Sequence, residues 1–485
     1  MRTNPHILEI NTAVWLNKLS EKYGKKIPLC HVPDEELDKF KKYGFDAVWL
    51  MGIWKRSPEA REVAQNNEEI KRAIAAFNPN YDKKYIAGSP YAIYDYTIDP
   101  DLGTEDGLKN FRQRLNERGV ALLLDFVGNH FAIDHPQTLE NPDFFINTGM
   151  EAPAQNPEWF FRTEKGVFIA HGRDPYFPPW TDTAQLNYFN PKTQEYMLQC
   201  LERISSFCDG VRCDMSMLSL NKVMKDTWGN YLKYDYPKEE FWTKAVSKIK
   251  NINPLFSFIA EVYWGLEWDI QEMGFDYTYD KVLYDRLRFS TAEAIEAHLG
   301  AEHLFQMRSI RFISNHDEES ALKAFGKEKS LAAAAIISTI PGAKMFSLDQ
   351  ILGHKEKIPV QYTLESEKDD EEIISFYQKL LSIINHPSFH GGQWTVKKVL
   401  SVNDSLTYKN VLCCSWVQGI EHKIVVINYS NAEAVCKVTL KRFKFKELKD
   451  DIAGKPVDIP VEEAYKNGIT LQLKPYEIKI YGTTI

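Results

Sequence analysis

The sequence lacks the features that direct a chain to membranes or nucleic acid. No apolar run in the 485 residues approaches the roughly 20 that cross a bilayer. The opening MRTNPHILEI has no charged and then apolar leader. Lysine and arginine total 59 against 67 aspartate and glutamate, a net charge of −8, so no positive field attracts phosphate backbones or anionic lipid. We expect a cytoplasmic protein that binds neither nucleic acid nor membranes.

Cysteine is scarce and forms no recognisable pattern. The seven cysteines include Cys413 and Cys414, which as direct neighbours cannot easily bridge each other, and no Cys-x-x-Cys spacing occurs. The chain also lacks the His-Glu-x-x-His spacing of many zinc enzymes. We expect reduced, buried thiols that pack as small apolar groups, and no metal or other cofactor.

Eight short apolar runs alternate with amphipathic segments and are predicted as strands. They cover residues 8–16, 45–52, 120–130, 209–214, 256–262, 275–280, 308–317 and 343–349. In one of the intervening segments, Thr104 is placed to cap a helix and Gly119 to end it. Buried strands alternating with helices form parallel sheets, and eight such units predict a (β/α)8 TIM barrel.

Two regions depart from this alternation. Residues 131–187 are rich in proline and aromatic side chains and are too long for one helix, so they predict a small inserted domain after the third strand. Residues 387–485 contain short strand-like runs separated by turn residues and predict a C-terminal antiparallel β-sandwich. The barrel is then expected to comprise residues 1–130 and 188–386.

Polar side chains follow four of the predicted strands. They are Asp125, Asn129 and His130 after the third, Arg212 and Asp214 after the fourth, Glu261 after the fifth, and Asn315, His316 and Asp317 after the seventh. A single aspartate at a strand end is more often a cap or a bridge than a catalyst. The carboxyl ends of all barrel strands lie on one face, however. Polar residues after four of these strands therefore predict an active site on that face.

The segments DFVGNH, GVRCD, IAEV and ISNHD, in this order, resemble the four sequence signatures of glycoside hydrolase family 13, the alpha-amylase family. The segments GSPYAIYDYTIDPDLG (88–103) and TAQLNYFNP (183–191) support the resemblance. The whole chain also resembles a group of bacterial alpha-amylase-like proteins whose substrates are unassigned. The resemblance implies a TIM barrel and an enzyme that cleaves alpha-glycosidic bonds.

The same resemblance implies the catalytic residues. Asp214 matches the nucleophile and Glu261 the acid/base, the two carboxylates that retaining cleavage requires. Asp317 matches the third carboxylate, which binds sugar hydroxyls. Arg212 is expected to keep Asp214 ionised, since an adjacent positive charge lowers a carboxylate pKa. Glu261 is expected to lie further from Arg212 and to hold its proton.

Substrate-binding residues are implied in the same way. His130 and His316 match a pair that hydrogen-bonds hydroxyls of the cleaved sugar, and Tyr91 matches the aromatic residue that stacks on that sugar. From the residues alone, a core tyrosine is the less favoured alternative for Tyr91. The implied partner is an alpha-linked oligosaccharide or polysaccharide, and the oligomeric state is left open.

Several positions depart from the family pattern. Met217 and Leu218 stand where many amylases carry a lysine and a histidine, which predicts a more apolar leaving-group pocket. Gln185 replaces an aspartate, so Asn129 loses the carboxylate partner with which it would bind a structural calcium. We therefore expect no calcium, and an insertion held by apolar packing with YFPPW (176–180) as its anchor.

Three functions remain open at this point. The first is hydrolysis of alpha-glucans or alpha-glucosyl oligosaccharides through a covalent glycosyl-enzyme intermediate. The second is transglycosylation with the same residues, favoured where the acceptor site excludes water. The third is an inactive carbohydrate-binding barrel, against which the complete set of three carboxylates argues.

Overall fold

Eight parallel strands form a closed barrel in the computed structural model, which describes residues 1–440, 447–457 and 461–484. Each strand pairs with the next along the chain, and the last pairs with the first. The predicted (β/α)8 barrel is thereby confirmed. Its strands are β1 (His6–Asn11), β2 (Ala47–Met51), β3 (Ala121–Val127), β4 (Gly210–Asp214), β5 (Ser257–Ala260), β6 (Tyr277–Tyr279), β7 (Ser309–Arg311) and β8 (Ala343–Ser347).

The first strand is shorter than predicted and begins earlier. It ends at Asn11, whose side-chain oxygen accepts a hydrogen bond from the backbone N–H of Val14. Asparagine favours this N-cap position, so the apolar residues that follow form the buried face of a helix instead of continuing the strand. The prediction of one strand over residues 8–16 was wrong for that reason.

Helices follow the strands and cover the outside of the barrel. The predicted cap is present, because Thr104 Oγ accepts from the N–H of Gly107 at 3.1 Å. The α-helices are Thr12–Tyr23, Asp34–Lys42, Pro58–Asn66, Glu68–Phe77, Glu105–Glu117, Gln137–Glu140, Pro191–Ser205, Asn221–Trp228, Phe241–Ile252, Glu267–Glu272, Lys281–Phe289, Ala292–Leu299, His303–Met307, Ala321–Phe325, Lys327–Ser338, Leu348–Leu352, Glu371–Ile384, Ser388–Gly391 and Val461–Asn467. None of the helices in the described ranges is long and apolar enough to cross a membrane.

The insertion after β3 contains five short strands. His130–Ala132 pairs with Thr183–Gln185, and Phe168–Ala170 lies between Asn147–Gly149 and Phe160–Arg162. A further antiparallel pair of strands, Trp54–Arg56 with Ile93–Ile98, lies in the segment between β2 and β3. The insertion is anchored by residues that are buried in the main core: Phe131, Phe145, Ile146, Ile169 and Leu186.

The proposed anchor of the insertion, YFPPW (176–180), was wrong for its first two residues, whereas Trp180 is partly buried and its ring centroid lies 5.2 Å from that of His130. Tyr176 and Phe177 are 74% and 64% exposed, so they contribute little to the core. They follow a turn in which the carboxylate of Asp174 accepts the backbone N–H of Tyr176, and the Tyr176 ring contacts Trp264 instead of the core. The exact domain boundaries at residues 131, 188 and 387 stay predictions.

The C-terminal region is an antiparallel structure of two sheets. One has the order β9-β11-β12-β17-β14-β15 and the other β10-β13-β16. The strands are β9 (Gln393–Val396), β10 (Val399–Leu400), β11 (Val411–Gln418), β12 (Glu421–Asn428), β13 (Ala434–Val438), β14 (Glu447–Asp450), β15 (Lys455–Pro456), β16 (Ile469–Leu473) and β17 (Ile478–Thr484).

The larger sheet packs on the barrel through buried aromatic side chains. Trp416 donates its indole N–H to the carbonyl of Thr339 at 2.7 Å, and Tyr429 donates to the carbonyl of Leu287 at 2.7 Å. Thr339 follows the helix Lys327–Ser338, and Leu287 lies in the last turn of the helix Lys281–Phe289. One face of the larger sheet therefore joins the core of the barrel, whereas Val411, Val426 and Leu473 belong to a separate core of the C-terminal region.

Candidate active site

A cavity of about 290 Å³ opens at the carboxyl ends of the barrel strands. Five of the seven predicted site residues line it: Tyr91, His130, Asp214, Glu261 and Asp317. Trp180 and Asp182 from the insertion complete one wall. The other two predicted residues, Arg212 and His316, are almost fully buried and contact the carboxylates of the cavity directly. The structure thus brings all seven together.

Arg212 is the centre of the charge arrangement. Its Nη1 donates to Oδ1 of Asp214 at 2.7 Å, and its Nη2 donates to Oε2 of Glu261 at 2.6 Å. Asp125 and Asp317 lie further from the guanidinium, at 3.7 and 3.8 Å. Arg212 and Asp214 are two apart on β4 and so face the same side of the strand. One buried cation therefore serves four carboxylates.

Glu261 accepts three hydrogen bonds. Besides Arg212, they come from the backbone N–H of Met215 at 2.9 Å and from the hydroxyl of Tyr263 at 2.8 Å. The expectation that Glu261 lies further from Arg212 than Asp214 does was wrong, because β4 and β5 are adjacent and both acids reach the same guanidinium. Sequence reasoning missed Tyr263, although its position two residues after Glu261 could have indicated a shared direction.

Met215 adopts a left-handed backbone conformation, with φ 42° and ψ 47°. Few residues other than glycine take this conformation without strain, and such strain is concentrated at functional sites. Here it follows directly on Asp214 and accompanies the hydrogen bond from the Met215 N–H to Glu261. The turn after β4 therefore links the two predicted catalytic carboxylates through the backbone as well as through Arg212.

The pKa of Asp214 is raised, contrary to the expectation drawn from its neighbour Arg212. This pKa is about 7: burial raises it most, Arg212 acts to lower it, and the carboxylates of Glu261, Asp317 and Asp125 add to the increase. Arg212 does not dominate because its charge is divided among four acids. Near neutral pH, Asp214 is therefore protonated in part of the molecules.

His316 connects Asp317 to a buried carboxylate on β1. Its Nδ1 lies 2.6 Å from Oε1 of Glu9, and its Nε2 lies 3.0 Å from Oδ2 of Asp317 and 2.7 Å from the hydroxyl of Tyr91. Burial acts to lower the pKa of His316, but Asp317 and Glu9 raise it to about 10. The imidazolium in turn overcomes the effect of burial on Asp317 and holds the pKa of that carboxyl well below its usual range.

Glu9 is a site residue that sequence reasoning missed. It is 3% exposed and points from β1 toward His316. The available signal was a charged side chain inside the otherwise apolar strand HILEIN, where an unpaired carboxylate would be costly. Its partner lies 307 residues away in the sequence, so no local pattern connected the two.

His130 has a different electrostatic environment. Burial lowers its pKa to about 4, so the ring is neutral near physiological pH. Its Nδ1 lies 3.2 Å from the side-chain amide of Asn129, and its ring centroid is 5.2 Å from that of Trp180. A neutral imidazole offers both a donor and an acceptor to a ligand hydroxyl.

The positions that hold calcium in the family pattern do not fit a cation here. The side-chain N–H groups of Gln185 donate to Oδ1 of Asn129 at 2.9 Å, to its carbonyl at 3.1 Å and to the carbonyl of Leu186 at 3.1 Å. These oxygens face a hydrogen-bond donor, and neither Asn129 nor Gln185 is charged. Calcium binding needs several converging oxygens, with carboxylates among them.

Met217 and Leu218 are buried in the core and do not line the cavity. The prediction that they make the leaving-group pocket apolar was wrong, because the short helix Ser216–Ser219 packs both side chains inward. Exposed aromatic surface is found instead in a separate groove, whose lining does not include Glu261. Trp264 and Tyr176, with ring centroids 5.3 Å apart, line an open groove of about 570 Å³.

Comparison with known proteins agrees with this arrangement. The family model described as "Alpha amylase, catalytic domain" matches residues 34–405. The chain therefore belongs to the alpha-amylase family, and the resemblance noted in its sequence is confirmed. The curated relatives it matches include glycoside hydrolases named alpha-amylase, cyclomaltodextrinase and oligo-1,6-glucosidase.

The relatives are distant in sequence. Alpha-amylase 3 of Dictyoglomus thermophilum is 24% identical over 389 residues, covering 75% of this chain and 68% of the relative. Alpha-amylase MalA of Haloarcula japonica is 26% identical over 362 residues, but these cover only 44% of that protein. The chain thus spans less than half of the second relative.

Solved structures show the same fold over the whole chain. Maltogenic alpha-amylase AmyB from Thermotoga neapolitana superposes with a TM-score of 0.70 at 21% identity and covers 99% of both chains. The alpha-amylase of Geobacillus thermoleovorans, solved in complex with acarbose, gives 0.67 at 19% identity and covers 100% of both. The fold, including the C-terminal sheets, is therefore that of alpha-amylases.

Proposed function

We propose that this protein is a retaining alpha-glycosidase that cleaves alpha-glucans or alpha-glucosyl oligosaccharides through a covalent glycosyl-enzyme intermediate. The observation that carries the proposal is the binding of Asp214 and Glu261 to adjacent nitrogens of Arg212, at 2.7 and 2.6 Å. Retaining glycosidases hold their two carboxyl groups about 5 Å apart, closer than inverting enzymes do. Sharing one guanidinium keeps two carboxyl groups side by side.

In the first step, a carboxylate oxygen of Asp214 forms a bond to the anomeric carbon while the glycosidic C–O bond breaks. Glu261 gives its proton to the leaving oxygen. Asp214 has to be ionised for this attack, and its pKa of about 7 makes that form available near neutral pH. The positive charge that develops on the sugar favours the anion further.

In the second step, water attacks the anomeric carbon and transfers a proton to Glu261, and the bond to Asp214 breaks. The hydroxyl of Tyr263 and the N–H of Met215, both donors to Glu261, keep its carboxylate oriented while it changes from acid to base. Each residue returns to its starting state, so the sequence of steps is closed.

The remaining cavity residues would bind the sugar. Asp317, 47% exposed at its side chain, offers an ionised acceptor to sugar hydroxyls, and the neutral ring of His130 offers a donor and an acceptor. His316 already has contacts at both ring nitrogens. Its main effect is then to keep Asp317 charged, with any hydroxyl contact at Nε2 shared with Tyr91.

Transglycosylation is the second candidate function. The groove lined by Trp264 and Tyr176 presents two partly or largely exposed aromatic rings, and Trp264 follows Glu261 by three residues in the loop after β5. Exposed aromatic faces bind the apolar faces of sugars, so an acceptor sugar could compete with water there. An inactive barrel is disfavoured, because four carboxylates crowded on one arginine destabilise the fold without serving a purpose.

A product analysis tests the proposal. The protein is incubated with alpha-linked oligosaccharides, sucrose, trehalose and glycosyl phosphates, and products are followed by chromatography and by NMR of the first anomer released. Hydrolysis with retention gives short sugars in the alpha configuration. Longer or mixed products indicate transglycosylation, whereas a beta anomer or the absence of cleavage contradicts the proposal.

We propose further that no calcium binds between the barrel and the insertion, since the amide of Gln185 already donates to the oxygens that would be ligands. We also propose a cytoplasmic location. Its support is that all seven cysteines are unpaired, as expected in a reducing compartment.

A further inference from the structure

We propose that the loop after β8 contains a binding site for a divalent transition-metal ion of the zinc class, formed by Asp349, His354 and Glu365. One ligand atom from each residue lies within 4.8 Å of the other two. The site is separate from the predicted catalytic residues and does not depend on the proposed reaction. It departs from the metal-free protein expected from the sequence, because this spacing matches no common metal motif.

Two atoms of this cluster are buried and have no hydrogen-bond partner. They are Nδ1 of His354 and Oε2 of Glu365, whose side chains are 2% and 6% exposed. They are 3.0 Å apart but not in line for a hydrogen bond with each other. They form an ion-pair contact but no aligned hydrogen bond, although buried polar atoms normally have one, so a metal ion that takes the place of the His354 proton could bind both atoms.

The spacing of the atoms fits a small metal ion. Metal–ligand distances of about 2.0–2.1 Å in a tetrahedral zinc site put neighbouring ligand atoms about 3.3 Å apart. Nδ1 of His354 is 3.0 Å from Glu365 and 3.8 Å from Oδ1 of Asp349, values on either side of that separation. Asp349 is 40% exposed at its side chain, so water can supply a fourth ligand.

The other side of His354 has the partner that metal-binding histidines usually have. Its Nε2 lies 3.0 Å from Oδ1 of Asp369, which also contacts Nζ of Lys18 at 2.5 Å. A carboxylate on one ring nitrogen places the proton there and leaves the lone pair of the other nitrogen for a metal. Asp369 therefore orients His354 toward the cluster.

The charges agree with a divalent ion. Three carboxylates surround His354, and Lys18 is the nearby lysine that contacts one of them. Without metal, an imidazolium would leave one excess negative charge. A divalent ion that displaces one proton from His354 neutralises the group completely. One nitrogen and two carboxylate ligands suit zinc, cobalt or manganese better than calcium, which prefers oxygen alone.

The metal would hold together both ends of the loop between Leu348–Leu352 and Glu371–Ile384. This loop supplies Gln361 to the wall of the active-site cavity, and Nζ of Lys357 donates to the backbone carbonyl of Asp317. Because the loop shapes the cavity but contributes no predicted catalytic group, metal loss should raise KM and leave kcat nearly unchanged.

The full-length protein, freed of metal by a chelator that is then removed, is titrated with Zn²⁺, Co²⁺, Mn²⁺ and Ca²⁺ by calorimetry. We expect one equivalent of Zn²⁺ or Co²⁺ per chain, a higher Tm with metal, and visible absorption bands of four- or five-coordinate Co²⁺. No saturable binding of a transition metal, or binding of Ca²⁺ alone, would overturn the proposal.

Variants locate the site. His354→Asn and Glu365→Gln should weaken Zn²⁺ binding by more than about 100-fold, and Asp369→Asn by about 10-fold, because outer partners have smaller effects. The matched control is Glu367→Gln, which removes one charge from the same loop and keeps an acceptor for the N–H groups of Lys355 and Glu356. Equal weakening by the control, or none by the ligand variants, would contradict the assignment; circular dichroism checks that each variant is folded.

Discussion

Arg212 shows how much one side chain can determine. It is 1% exposed and has carboxylates at 2.6, 2.7, 3.7 and 3.8 Å. A planar guanidinium can bind two acids through separate nitrogens, whereas a lysine ammonium is a single point of charge. The identity of this residue, and not only its charge, keeps Asp214 and Glu261 next to each other.

The first prediction is that Arg212→Lys lowers kcat/KM by at least about 100-fold, because the ammonium cannot bridge both acids. Circular dichroism should show a folded protein, with a Tm lowered by a few degrees. Steady-state kinetics on a confirmed substrate provides the measurement. A variant that loses its fold while any folded fraction keeps normal activity would indicate a purely structural bridge.

The second prediction concerns Asp214→Asn, which should reduce turnover by several orders of magnitude, as should Glu261→Gln.

Asp214→Asn should also be more stable than the wild type above pH 7. The folded pKa of about 7 lies above the unfolded value of about 3.9, so ionisation of Asp214 costs the wild type stability as pH rises through this window.

Chemical denaturation of wild type and Asp214→Asn at pH 4, 6 and 8 measures this effect. The gain in stability should be largest at pH 8 and smallest at pH 4, where folded Asp214 is protonated and the unfolded carboxyl, with a pKa of about 3.9, is about half protonated. Asp276→Asn, at a half-exposed ion pair with Lys250, serves as a control with the same chemical change. A gain that is independent of pH would contradict the raised pKa.

The third prediction is an acid limb in the pH dependence of kcat/KM with a midpoint near 7. Only ionised Asp214 can attack the sugar, so activity should fall as pH decreases through its pKa of about 7. Initial rates at low substrate concentration between pH 4 and 9 test this. A midpoint near 4 would mean that Arg212 outweighs burial, as the sequence alone suggested.

Most of the site residues found by sequence analysis lie in or just after apolar strands, whereas those it missed are defined by contacts that only the fold creates. Asp214 and Glu261 follow apolar strands in a recognisable motif, so their placement could be anticipated. Glu9 joins the site by contacting His316, which follows a different strand. Tyr263 joins it from the loop after β5 by donating to Glu261. The raised pKa of Asp214 also depends on burial and on Asp317, and neither is visible in a linear pattern.

Among the elements, the regular ones were the most predictable. All eight barrel strands overlap predicted segments, since buried parallel strands produce continuous apolar runs. The errors occurred where a polar side chain changes the direction of the backbone. Asn11 ends β1 by capping a helix, and Asp174 forms a turn with the N–H of Tyr176, whose side chain is exposed.

The fourth prediction concerns the pair of strands at the base of the insertion, where Gln185 lies opposite His130. Millimolar calcium should leave the Tm of the wild type unchanged. Gln185→Asp replaces the amide donor by a carboxylate beside Asn129, so this variant should be less stable without calcium and should recover stability with it. Thermal melts with calcium and with magnesium as control test this, and stabilisation of the wild type by calcium would contradict the proposal.

At the scale of the whole molecule, the larger C-terminal sheet contributes Trp416 and Val425 to the core of the barrel, so we expect the barrel and the C-terminal region to unfold together. The fifth prediction is that Trp416→Phe lowers the free energy of unfolding by about 1–3 kcal/mol, because the buried carbonyl of Thr339 loses a hydrogen bond. A single transition and unchanged kcat should remain. Two separate calorimetric transitions in the wild type would show that the parts are independent.

The closure of the barrel also has a consequence for protein synthesis. β1 pairs with β8, with His6 opposite Lys344, and Asn4 donates to the carbonyl of His390. A ribosome that adds about 5–20 residues per second therefore needs tens of seconds before the partner of the first strand exists. Throughout that time one edge of β1 is unpaired, and unpaired edges are where chains associate wrongly. The demand of this fold on chaperones is thus set by the distance between its first and last strands.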